Sequence, residues 1–272
     1  MAAYPVVSGP YGFKPVNLIG GQVFSGSTRN LPIQYNYGTA IYYGDFVKLT
    51  AGYVEILANT ISSNVAMGVF LGCYYTNPTT KNRQFSQYYP GNITAGDITA
   101  IICDDPDTVF RVAVTTTAGG STIGSASSIL VGQNMAGNTA TGNATSGNSY
   151  GAVVGASSST GNFRVMNLVP DTQISLSSTY VSGGAAAATS VVVSGLPVGA
   201  FLPIGTDVFN LVSGQLQFTG ATLSAASTVT TTGNTTLTVT AITTQVAGTV
   251  ALVETPEVLV KITFGAHRYY VA

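Results

Sequence analysis

Apolar residues recur along this chain in short β-branched and aromatic runs separated by Gly, Asn, Pro and Ser, while helical periodicity with capping residues is almost absent. The pattern reads as all-β. Tyr43 to Thr50 and Gly52 to Ile56 are two strand-like stretches joined through Thr50-Ala51-Gly52, which predicts a hairpin. Period-two alternation sets Phe46, Lys48 and Thr50 on one face and Val47 and Leu49 on the other, so the first of these strands is expected to be half-buried. Further strands are expected at Ala66 to Tyr75, Ile98 to Cys103 and Thr108 to Val114, with Asn77 to Gln87 as a polar loop and Asp104-Asp105-Pro106-Asp107 as a turn. Thr115 to Gly161 reads as loop around short strands, with apolar islands at Ile129-Leu130-Val131 and Val153-Val154.

Beyond that stretch the pattern divides the chain. Phe163 to Pro170 alternates cleanly and is expected to return to the first core, as is the alternating tail Glu257 to Phe264. Between them the composition shifts to Thr, Val, Ser and Ala, and strands are read at 190–193, 207–211, 215–219, 228–231 and 235–240. At the other end, Pro5, Pro10, Pro15 and Pro32 with five glycines deny residues 1–36 a helix or a central strand. The expected architecture is therefore a β-barrel or sandwich core with an extended N-terminal arm (1–36), a first β domain (37–170), a second, inserted β domain (171–253) and a closing strand (254–272).

Composition narrows the function classes. Only 7% of the 272 residues are charged, against about 25% in ordinary soluble domains. Nine cations against ten anions, scattered rather than clustered, argue against nucleic-acid binding. No run of about 18 apolar residues is present, so a transmembrane helix is not expected. The first ten residues lack the cationic start and apolar run of a signal peptide, which points to a chain made and kept in a cytoplasm. An outer-membrane barrel would need such a signal. Cys73 and Cys103 sit among apolar residues, outside any metal-ligand spacing, and read as small core residues rather than a disulfide.

Catalytic chemistry is thinly represented. His267 is the only histidine and has no nucleophile elbow beside it, Glu254 and Glu257 read as a solvated turn around Pro256, and no phosphate-binding glycine motif occurs. An enzyme is the least favoured class, and no cofactor is implied. Asp104, Asp105 and Asp107 could ligate Ca²⁺ but lack the glycine and terminal glutamate of an EF-hand loop, so a hydrated turn is the preferred reading. Tyr43-Gly44-Asp45-Phe46, Ala95-Gly96-Asp97-Ile98 and Gly205-Thr206-Asp207-Val208 share a strand-entry pattern in which Asp is expected to accept local N–H groups. Four tyrosine pairs suggest that one ring fills a core while its neighbour meets a partner. The interface candidates are Tyr42, Tyr75, Tyr89 and Tyr269 from these pairs, with Tyr4, Tyr11, Phe13, Leu18, Ile19 and Phe24 from the arm.

Ile41 to Leu49, then Gly52-Tyr53-Val54 and Met67 to Gly72, resemble the first barrel of small capsid-decorating proteins of tailed bacteriophages, in which a Gly-Asp strand, a hairpin and a Gly-Val strand recur. Pro10-Tyr11-Gly12-Phe13-Lys14-Pro15-Val16-Asn17 is similar to the start of structural proteins in phages of cyanobacteria and marine bacteria. The likeness covers roughly the first 110 residues and the closing strand; the segment 171–250 departs from it. It implies a virion structural protein made in the host cytoplasm. Its partner would be the major capsid protein, which it would decorate without catalysis as a homo-oligomer, with a trimer favoured. The competing reading is a tail, fibre or surface adhesin that binds a host glycan.

Overall fold

The computed structural model describes residues 7–19, 21–57, 67–117 and 119–263. In chain order the strands are β1 (Lys14–Leu18), β2 (Arg29–Pro32), β3 (Phe46–Thr50), β4 (Tyr53–Ile56), β5 (Gly68–Thr76), β6 (Arg83–Ser86), β7 (Thr99–Cys103), β8 (Thr108–Thr115), β9 (Asn134–Asn138) and β10 (Ala152–Ser157). They continue as β11 (Phe163–Leu168), β12 (Ile174–Gly183), β13 (Ser190–Ser194), β14 (Phe201–Leu202), β15 (Asp207–Val212), β16 (Gln215–Thr222), β17 (Ser227–Thr228), β18 (Asn234–Thr238), β19 (Thr249–Glu254) and β20 (Glu257–Ile262). Helix is confined to single 3-10 turns at Ser128–Leu130 and Pro170–Thr172 among the described residues. The fold is all-β.

Strands β8, β10, β9, β11 and β20 form a closed barrel, because β20 pairs with β8 as well as with β11. Closure removes the exposed edges an open sheet would leave. Its core holds Phe110, Val112, Met135, Phe163, Val165, Val258 and Val260. A second sheet, β2-β7-β5-β3-β4 with β6 on the edge of β5, lies against this barrel. Its strands are buried on both faces: Phe46, Val69 and Cys103 point into the barrel core, while Val47, Phe70 and Ile102 join a separate core with Ile41 and Tyr89. The half-buried strand expected at Phe46 to Thr50 is thus covered on both sides where it starts. Alternation alone cannot tell one covering layer from two.

The third unit, β16-β15-β19-β12-β13-β18, has its own core of Val191, Val193, Leu202, Val208, Leu237, Val250 and Leu252. A bridge between Leu223 and Val239 draws its two outer strands together. The whole unit is threaded between β11 and β20, which pair with each other directly. Several of its strands were not read from the sequence: β12 is ten residues long, yet its Ser and Thr content resembles loop. Likewise β6 lies in the expected polar loop, and the apolar island at 129–131 coincides with a 3-10 turn instead of a strand.

The described part of the expected extended arm, 7–19 and 21–36, docks on the chain itself. Phe13 is fully buried, its ring 4.0 Å from Phe46 and 4.8 Å from Phe163 between centroids. The Phe13 N–H donates to Gly44 O at 3.1 Å, β1 pairs with β8 and β2 pairs with β7. The prolines are accommodated because both strands lie on sheet edges, where an absent N–H is tolerated.

Candidate functional site

The first Gly-Asp motif organises a buried knot. Gly44 has φ 91°, and a Cβ there would lie 2.8 Å from the Phe13 nitrogen, so only glycine lets the two segments meet. Asp45 is 1% exposed; its carboxylate accepts the Tyr42 N–H at 2.8 Å and the Ser149 hydroxyl. Burial pushes its carboxyl up to about 6, against these two hydrogen bonds. The other two motifs bond at long range instead of locally. Asp97 accepts the Thr76 N–H at 3.0 Å and hydroxyl at 2.6 Å, and Asp207 accepts the Ser128 N–H at 2.9 Å across the junction between the barrel and the threaded unit. These aspartates are structural clamps.

A second polar cluster corrects the solvated-turn reading of Glu257. That residue is 3% exposed, accepts the Tyr11 hydroxyl at 2.5 Å and Arg111 Nε at 3.0 Å, and is ion-paired with the same guanidinium. Burial opposes its charge, but the bonds from Arg111 and Tyr11 outweigh it and hold the carboxyl below its usual range. Tyr11 is pushed well up, by burial and then by Glu257. Both groups are committed to tying the N-terminal segment to β8 and β20.

The carboxylates of the Asp104 turn are engaged rather than convergent. Asp104 pairs with Arg29, Asp107 lies 4.0 Å from Lys261, and Asp105 accepts the Asp107 N–H at 2.9 Å. No group of three metal-ligating side chains occurs among the described residues. Burial pushes the Cys73 thiol up to about 12 and the Cys103 thiol up to about 11, which leaves neither as a nucleophile near neutrality.

The expected interface residues divide. Phe13, Tyr42, Tyr75 and Tyr89 are buried within the chain and are not available to a partner. Their neighbours Tyr43, Tyr74 and Tyr88 are the half-buried members of each pair, and Tyr88 stacks on Tyr42 at 5.3 Å. Pairing on a strand does point the rings to opposite faces, but the sequence does not say which face is the core. Leu18 is half-buried, Phe24 packs against the barrel core, Tyr11 is bound to Glu257 and Ile19 is 42% exposed. Tyr4, Tyr269 and His267 lie outside the described residues.

Two features missed from the sequence are the candidate sites. One is the β15–β16 hairpin, where Leu211 pairs with Leu216 and Val212 with Gln215, and where Leu211, Val212 and Leu216 are 37%, 53% and 51% exposed. The other is a groove of about 550 Å³ at the junction of the barrel and the threaded unit. Ile123 and Pro256 line it from the first unit; Ile174, Leu176, Phe201 and Glu254 line it from the second. Burial pushes the Glu254 carboxyl up to about 7. No protein-family model, curated protein or solved structure matches the chain. Its function is therefore argued from these surfaces. The alternating Leu211/Leu216 positions were readable as strand, but nothing in the pattern marks them as uncovered.

Proposed function

We propose that the chain is a capsid decoration or cement protein, a virion component that binds the outside of a bacteriophage head lattice as a homo-oligomer, a trimer in the first instance, and stabilises it mechanically. The observation that carries this reading is the apolar tip of the β15–β16 hairpin in a chain with only 7% charged residues. Three large aliphatic side chains left in water at one hairpin end are a contact surface of the kind that marks partner binding. Burying each would contribute about 1.5–3 kcal/mol at most. Repetition over a lattice turns such weak contacts into firm attachment, because each further site acts at high effective concentration.

Binding to purified bacteriophage heads tests the proposal. Leu211→Ser with Leu216→Ser should leave the melting temperature nearly unchanged and abolish head binding. Because the contact is apolar, raising salt from about 0.1 to 1 M, where the screening length falls from about 10 to 3 Å, should not strip the protein. Release of most copies in high salt, or undiminished binding by the double variant, would overturn it. The glycan-adhesin reading draws on a polar cleft of about 550 Å³ lined by Gln133, Asn134, Ser157, Ser158 and Arg164. Retention on host-cell glycans in the absence of heads would favour that alternative.

A further inference from the structure

The groove between the barrel and the threaded unit poses a separate problem of charge. Glu254 stands directly opposite Ile174 in the β12–β19 ladder, so its side chain shares a face with Ile174 and Leu176 at the end of the second core. Among the described residues it is the only titratable side chain lining the groove. Most other carboxylates of the described residues have partners, among them Glu55 with Lys48, Glu257 with Arg111, Asp107 with Lys261, and Asp45, Asp97 and Asp207 with hydrogen-bond donors, while Asp171 is exposed to water. Among the described residues the Glu254 carboxylate has no hydrogen bond and no ion pair, and burial is the sole cause acting on its titration. A half-buried carboxylate on an apolar wall is complemented by a cation carried on an apolar stem.

The backbone beside it supplies a second specification. β19 pairs with β12 from Ile174 to Thr179, whereas β13 pairs with it only from Thr179 to Gly183. The other edge of Ile174 to Ser178 thus has no strand partner among the described residues, and an extended segment can add there. Phe201, 48% exposed at the groove wall, offers apolar cover to whatever enters.

We propose that this groove seats a lysine or arginine side chain, flanked by apolar residues, on an extended segment of a partner polypeptide. The ammonium or guanidinium meets Glu254 while its stem and neighbours cover Ile174, Leu176 and Phe201. A bare metal cation would leave the wall uncovered, and an acidic segment would be repelled. This site is distinct from the hairpin tip, and its test requires no heads.

The test is an NMR titration of the full chain with the blocked tripeptides Ac-Ile-Lys-Ile-NH2 and Ac-Ile-Gln-Ile-NH2 and with butylammonium. The lysine peptide should shift amide resonances of Ile174, Leu176 and Phe201 at least tenfold more tightly than the other two. A carboxyl titrating near 7 goes from about nine-tenths to about one-tenth ionised between pH 8 and pH 6, so affinity should fall about tenfold over that range. Glu254→Gln should remove both the preference for lysine and the pH dependence. Phe201→Ser, which alters only an exposed position, should weaken binding and keep the pH dependence. Equal binding of the glutamine peptide, an unchanged Glu254→Gln titration, or no response to the lysine peptide would overturn the proposal. Butylammonium binding as tightly as the peptide would also overturn it, by assigning the groove to a small amine.

Discussion

Buried and half-buried carboxylates in this chain differ in whether their neighbours donate to them, and two such environments predict different behaviour. Asp45 receives two donors at the barrel's entry knot, so Asp45→Ala should leave them unpaired and cost about 1–3 kcal/mol in urea denaturation. Glu254 has burial without donors among the described residues. Its titration midpoint rises from 4.5 when unfolded to about 7 when folded, so between these values the native state holds a proton the unfolded chain has lost. Stability from this group is therefore present below about pH 4.5 and declines as pH rises through 7. Glu254→Gln should accordingly melt higher than the parent at pH 8 and equally at pH 4; the reverse order would show that the carboxylate has a partner in solution. At Gly44, φ 91° and the 2.8 Å approach to Phe13 N make alanine costly by about 2 kcal/mol or more, measurable in the same denaturation series.

Among the elements, β1 and β5 show how context corrects a local pattern. The segment leading into β1 places Phe13 among Phe46, Phe110 and Phe163, so it is a wall of the barrel and not an appendage. Phe13→Ala should destabilise by about 3–5 kcal/mol, and deletion of residues 1–36 should unfold the barrel; a truncated chain with the parent's thermal transition would refute this. β5 carries a bulge between Phe70 and Gly72. The extra residue shifts parity, so that Phe70 and Cys73, three apart, reach the same core. No period-two reading produces that result. Gly72, at φ 139°, supplies the backbone conformation that allows it.

In the whole molecule, the cores of the barrel and of the threaded unit share no residue. The junction is made by polar contacts: the Thr255 N–H donates to the Ser125 hydroxyl at 2.8 Å, Gln173 Nε2 to the Thr255 hydroxyl at 3.0 Å, and Ser125 N–H to Ile204 O at 3.1 Å. Replacing 174–254 by a short Gly/Ser linker should therefore leave a barrel that folds, with β11 and β20 still paired, as judged by circular dichroism and limited proteolysis. Loss of cooperative unfolding in the shortened chain would mean that the two units depend on one another for stability.

The sequence by itself determined the all-β class, the hairpin at Tyr43 to Ile56 and the strands built on Val-rich alternation, because those features depend on side-chain period and turn residues within a few positions. It also indicated that each tyrosine pair would divide between a core and another face. Tertiary structure decided which member is buried in the three described pairs, that Phe13 enters the barrel, and that the Ser/Thr-rich Ile174 to Gly183 is a strand. It also decided that Glu257 meets Arg111 while Glu254, three residues earlier, meets no cation among the described residues. The two glutamates flank the same proline and are alike in sequence. Their chemistry differs because β19 ends in the threaded unit and β20 begins in the barrel, and burial, cations and donors are properties of the layers brought together around a residue.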